Sequence, residues 1–148
     1  MKWITRERPK TDRIACPWLI RRFIDPDAEF QFVPREEVLA VAEQTGGRSF
    51  DAEGADFTHA QHDGAEWCTF ETLIAHFGLT DDEALARLAR IVHAADVSAD
   101  LGTDPAGAGL LAIGIGGLQV ETDDHRLLER ASFVYDALYA WCELEVSR

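Results

Sequence analysis

One segment constrains the fold more than any other. Between Asp12 and Pro26, the residues Ile14, Ala15, Cys16, Trp18, Leu19, Ile20, Phe23 and Ile24 are apolar on almost every face of a helix. Such a helix must be covered on more than one side, so the chain has to wrap it in other elements. Proline suits the first helical position, which makes Pro17 the expected N1 residue and Cys16 the expected N-cap. The residue before Pro26 does not easily stay helical, so the helix should stop near Ile24. Around it, Trp3-Ile4-Thr5, Phe30-Gln31-Phe32-Val33 and Arg48-Ser49-Phe50-Asp51 read as short strands, and residues 36–44 read as a helix stopped by Gly46-Gly47. A β-α-β-α-β order predicts a small sheet with parallel strands and right-handed crossovers.

From Phe70 onward the pattern is helical. Residues 69–77 make a short helix ending at Gly78, and Thr80-Asp81-Asp82-Glu83 has capping-box spacing ahead of Leu85, Leu88, Ala89 and Val92. Asp104-Pro105 combines N-cap and N1 chemistry, and opens a segment whose small residues let helices approach closely. Leu127, Ala131, Val134, Leu138 and Cys142 form one helical stripe in residues 125–143. The expected fold class is α+β (mixed α/β): a small N-terminal βαβαβ sheet and a helical C-terminal half, in a single domain over residues 1–148. A chain with 47% hydrophobic residues and this length has enough core to fold without a staple. The most apolar stretch, residues 106–120, is too short and too glycine-broken for a membrane span. The N-terminus is charged where a secretory signal would be apolar, and the three cysteines lie far apart, so a cytoplasmic, reducing location is expected.

Net charge is −13, which argues against nucleic-acid binding by the domain unaided. The distribution is uneven. Residues 1–24 carry seven cations against two acids, a net of +5 that leaves −18 on the rest. A cationic corner on an acidic body suits either a small-anion site or a segment docked on its own acids. Cys16, at an N-cap with Arg13 upstream, would have a lowered thiol pKa and could act in redox or ligand contact; the alternative is a buried, inert thiol. Arg22 projects toward Ile14, Ala15 and Trp18, so it must snorkel or meet an anion.

Histidine and acid form the second constellation. Asp96 falls within the apolar stripe of its helix, and a carboxylate aimed at a core needs a partner or an ion. His93 lies three residues earlier, near the same face. His59 belongs to an HxxH in the irregular stretch 57–67, and Asp123-Asp124-His125 opens the last helix. Together His59, His93, Asp96, Asp124 and His125 could supply N/O ligands for a divalent transition metal of the Zn, Fe, Mn or Ni kind. An N-cap, a surface histidine and a bridged aspartate would explain the same residues without one. The glycines at 114, 116 and 117 follow no strand and precede no Lys-Ser/Thr, so phosphate-loop fingerprints fail, and no G-x-S-x-G elbow is present.

These residues lie in stretches that resemble the ChrB-type chromate-resistance family, specifically the C-terminal domain of its longer members, here standing alone. The matching motifs are Lys2-Trp3-Ile4-Thr5-Arg6-Glu7, residues 10–26, Ile91-Val92-His93-Ala94-Ala95-Asp96, Ala108-Gly109-Leu110-Leu111-Ala112-Ile113, Asp123-Asp124-His125 and residues 135–142. The resemblance implies a role in chromate resistance, as a sensing or processing domain. Taken with the residues above, the expected function is a sensing or regulatory module that binds a metal ion and/or the chromate oxyanion, with Arg13, Cys16 and Arg22 as the anion-binding or redox group. The other class is an enzyme in which a His/Asp-ligated divalent ion activates water or cycles redox state. A third is an interaction module that forms a homodimer through exposed Trp and Tyr.

Overall fold

The computed structural model describes all 148 residues. Strand β1 (Lys2–Arg6) is central in a three-stranded sheet of order β2-β1-β3, parallel to both β2 (Glu29–Val33) and β3 (Arg48–Ser49). Helices α1 (Asp12–Leu19) and α2 (Val38–Thr45) supply the two crossovers, so the βαβαβ expectation holds. Gly46 takes φ 69° at the end of α2, the left-handed stop that glycine allows.

Helix α1 departs from expectation in its start. It begins at Asp12, and Pro17 lies inside it with Cys16 as an interior residue. The ring removes the hydrogen bond that the Arg13 carbonyl would accept. Beyond Leu19 the helix widens into a π-helical turn, Ile20–Ile24, closed by Asp25 N–H to the Ile20 carbonyl at 2.7 Å. At the entry, Thr11 adopts φ 46°, a left-handed conformation that is strained for a β-branched residue. The buried Tyr135 hydroxyl donates to its carbonyl at 3.1 Å and holds it there.

Residues 57–67 are more regular than expected. They form an antiparallel hairpin, β4 (Ala60–His62) and β5 (Ala65–Trp67), turned at Asp63-Gly64 with φ 49° and 81°. Asp-Gly is a strong two-residue hairpin signal.

The C-terminal half is α3 (Thr69–His76), α4 (Glu83–Asp96), a 3-10 segment (Ser98–Thr103), α5 (Pro105–Val120) and α6 (Asp124–Val146). The α4 cap is Asp82, which accepts from Leu85 N–H at 2.8 Å, so Thr80 is not the cap. Asp104 caps α5 as expected, accepting from Ala106 N–H at 3.0 Å. Asp123, one residue earlier than expected, caps α6. Helix α4 is the hub, with Leu85, Leu88, Ile91 and Val92 fully buried against α1, α5 and α6. A Cβ built on Gly107 would lie 2.6 Å from the Ala94 Cβ, which explains glycine at the α4–α5 crossing.

Helix α1 is covered on several sides, by α3, α4 and α6. Tyr135, Tyr139, Trp3 and Trp18 are all buried; the exposed aromatics of α6 are Phe133 and Trp141. The tyrosines expected at a dimer surface are therefore core residues. No helix is long and apolar enough to cross a membrane.

Candidate metal and oxyanion site

Four elements bring acids and one imidazole together beside the sheet. Asp12 is the first residue of α1, Asp51 follows β3, His59 precedes β4 and Asp96 ends α4. Asp12 is fully buried. Its carboxylate accepts from Thr69 N–H at 2.8 Å and Phe70 N–H at 3.0 Å, the first two amides of α3, and from the Cys16 thiol at 3.3 Å. These amides have no partner within their own helix, so Asp12 caps α3 from outside. Burial and the neighbouring Asp51 push the Asp12 carboxyl up to about 7. The donors around it favour the ionised form.

His59 closes the group. Its Nε2 lies 2.9 Å from Asp96 Oδ2, 3.5 Å from Asp12 Oδ2 and 3.5 Å from Asp51 Oδ1. One ring nitrogen thus faces three carboxylate oxygens, more acceptors than a single N–H can serve. Hydrogen bonding to Asp12 and then Asp96 raises the imidazole from 6.5 to about 11. The other nitrogen, Nδ1, lies 3.4 Å from Glu66 Oε2 on β5. Ligand atoms of Asp12, His59 and Asp96 all fall within 4.8 Å of one another, a spacing suited to one cation.

Asp51 ties this group to the cations. It takes φ 50°, accepts from the Thr69 hydroxyl at 2.8 Å, and its other oxygen lies 3.5 Å from both Arg6 and Arg13. The result is a cleft of about 240 Å³ lined by Arg6, Lys10, Thr11, Arg13, Asp51, His59 and Asp96, with no apolar side chain among them.

The structure divides the residues singled out from the sequence. His59, Asp96 and Arg13 meet in this cleft. His93 does not: its nitrogens lie 2.6 Å from Glu71 on α3 and 2.6 Å from Asp100. Residues three apart on a helix differ by about 60° in direction, enough to send His93 and Asp96 into different groups. Asp124 is held by the Arg8 backbone N–H and guanidinium, both at 2.9 Å. The same guanidinium donates to the carbonyls of Leu118, Glu121 and Thr122 at the end of α5, which makes this a structural clasp. His125 meets the Phe32 ring edge to face at 5.2 Å, away from the cleft. The five residues therefore do not share one ion.

Cys16 and Arg22 are also corrected. Cys16 is fully buried inside α1 beside Asp12, not at a helix start beside cations. Burial, Asp12 and Asp51 push its thiol well up, the reverse of an activated thiolate. Arg22 lies over the Tyr139 ring at 4.7 Å and meets Asp136 at 3.4 Å on the surface. Its anion is part of the protein. Asp12, Asp51, Arg6 and Lys10 join the site without being among the candidate residues of the sequence. Asp12 carried the same signal as Asp96, an acid on an apolar helix, whereas Asp51 has no local signature.

The family model described as "ChrB, C-terminal domain" matches residues 3–142. Protein ChrB of Cupriavidus metallidurans is 41% identical over 139 residues, which are 93% of this chain and 40% of that protein. The chain thus spans well under half the length of this relative. No solved structure matches it. With a family match over nearly the whole chain and a relative at this identity, the chain belongs to the ChrB family, as a form of its C-terminal domain.

Proposed function

We propose that this domain is a sensing or regulatory module of chromate resistance that holds one divalent transition ion, of the Zn, Fe, Mn or Ni kind, on Asp12, Asp51, His59 and Asp96. The observation that carries the reading is the single ring nitrogen of His59 facing three carboxylate oxygens at 2.9–3.5 Å. A cation at their common focus would replace a proton that cannot satisfy all three. Membership of the ChrB family supports the link to chromate resistance.

The second half of the proposal concerns the oxyanion. Arg6, Lys10 and Arg13 line the same cleft, and guanidinium and ammonium groups give charge-assisted hydrogen bonds to a tetrahedral dianion. Lys10 forms no ion pair within 4.0 Å, so it is free to turn to a ligand. The metal and the anion would then be sensed together. A metal-dependent enzyme is the second reading, and it draws on one feature: His59 is about a third exposed, which leaves a coordination position open to water or substrate.

Metal analysis of untagged protein tests the proposal. It expects stoichiometric metal in the wild type, with one equivalent per chain lost in both His59→Ala and Asp96→Asn. Chromate titration should give saturable binding that weakens with salt and in Arg13→Ala. Wild-type protein that takes up no divalent ion while remaining folded would overturn the metal reading. Chromate binding unchanged in Arg13→Ala would overturn the oxyanion half.

A further inference from the structure

A second group of metal-ligating side chains lies at the start of α3, and it is chemically unlike the first. Cys68 directly precedes α3 in an extended conformation and Glu71 lies three residues on, so thiol and carboxylate share one side of the helix. His93 reaches them from α4, with Nδ1 2.6 Å from Glu71 Oε1. The ligand atoms of Cys68, Glu71 and His93 fall within 4.8 Å of one another. On the far side of the ring, Nε2 lies 2.6 Å from Asp100 Oδ2.

We propose that Cys68, Glu71 and His93 form a second metal site, for a softer ion of the zinc class, with Asp100 as the residue that positions His93. Two independent features support it. A metal-ligating imidazole almost always gives its other N–H to a carboxylate or carbonyl, and Asp100 occupies that place. A thiolate in the donor set discriminates toward zinc-like and other soft ions and against Mg, Ca and Mn, a selectivity that the all-N/O first cluster lacks.

Burial is graded across the site. Cys68 is fully buried, whereas Glu71 and His93 are partly exposed, at 23% and 17%. An ion therefore has a path in from the side of the carboxylate, and the outer coordination position remains for water. Three protein donors with a fourth place open is the pattern of a labile or reactive zinc site, not of a closed structural one. Binding releases the Cys68 thiol proton and the proton on His93 Nδ1, which the ion replaces. The peptides that follow Cys68 are those held by Asp12, so α3 would anchor a hard site on one side of its first turn and a soft one on the other.

Cobalt titration of the untagged, reduced, chelator-treated full chain tests this, because thiolate-to-cobalt charge transfer reports cysteine ligation directly. The expected result is a near-ultraviolet band that saturates with one ion per chain and disappears in Cys68→Ser. It should persist in Cys16→Ser, His59→Ala and Asp96→Asn, which separates this site from the one proposed above. His93→Gln leaves the buried thiol in place and should lose the tight cobalt binding that the band reports, and Asp100→Asn should weaken that binding about 10- to 100-fold with the band unmoved. No band at excess cobalt, a band that survives Cys68→Ser, or wild-type affinity in His93→Gln would each overturn the proposal. Loss of the band in His59→Ala would overturn it too, by showing that there is one shared site.

Discussion

Asp12→Ala is the most informative single perturbation of the fold that builds the cleft. The carboxylate is fully buried and is the partner of Thr69 N–H and Phe70 N–H, which have no acceptor in their own helix. Alanine leaves two buried donors unpaired at about 1–3 kcal/mol each, so the loss is about 2–6 kcal/mol. The His59 pairing contributes little beyond this, because that side chain is a third exposed and screened. Against a domain stability of roughly 5–15 kcal/mol, this removes a large share. Urea denaturation of chelator-treated protein, followed by circular dichroism, measures it as a fall in midpoint with little change in slope. Asp12→Asn keeps one good acceptor and should lose about half as much. A loss below about 1 kcal/mol in Asp12→Ala would refute the capping of α3 by Asp12, and with it the idea that this residue is fixed in place before any ligand arrives.

Other outcomes follow from the same geometry. The imidazole of His59 is raised above its unfolded value of 6.5 to about 11, so its contribution to stability is complete below pH 6.5 and is lost as pH climbs toward 11. Wild-type stability in the metal-free state should therefore fall between pH 7 and 10 more steeply than that of His59→Gln; equal slopes would contradict the assignment. Gly107→Ala should cost about 1–3 kcal/mol, because the new Cβ meets Ala94 at 2.6 Å across two packed helices; a thermal melt unchanged from wild type would count against that crossing. Arg8→Ala should destabilise the domain by about 1–3 kcal/mol, since the guanidinium serves three carbonyls and Asp124, yet leave metal content untouched. Metal loss in that variant would return Asp124 to the site.

Much of the fold was legible because it follows from local rules. Alternation marked β2, Gly46 marked the end of α2, and Asp104-Pro105 marked the start of α5. Pro17 misled because proline's preference for a helix start is only a preference, and the tertiary packing of α1 carries the helix past it. The hairpin at Asp63-Gly64 was readable from its turn residues, although its strands are only three residues each and half polar.

The site was legible at Asp96, an acid on an apolar helical stripe, at His59 through its HxxH spacing, and at Arg13 as a cation near Cys16. Asp51 is set by a turn after β3 and by long-range contacts to Thr69, Arg6 and Arg13, none of which leave a spacing in the sequence. The apparent Asp124/His125 pair had a sound local motif. What decided its fate was Arg8, more than a hundred residues away.

Histidine side-chain nitrogen NMR during zinc titration reads the one ring nitrogen that faces the three carboxylates. His59 Nε2 should lose its proton and move to the shift of a metal-coordinated nitrogen as the ion binds, and Asp96→Asn should weaken this transition. A His59 ring that keeps its Nε2 proton at saturating zinc would contradict the metal reading.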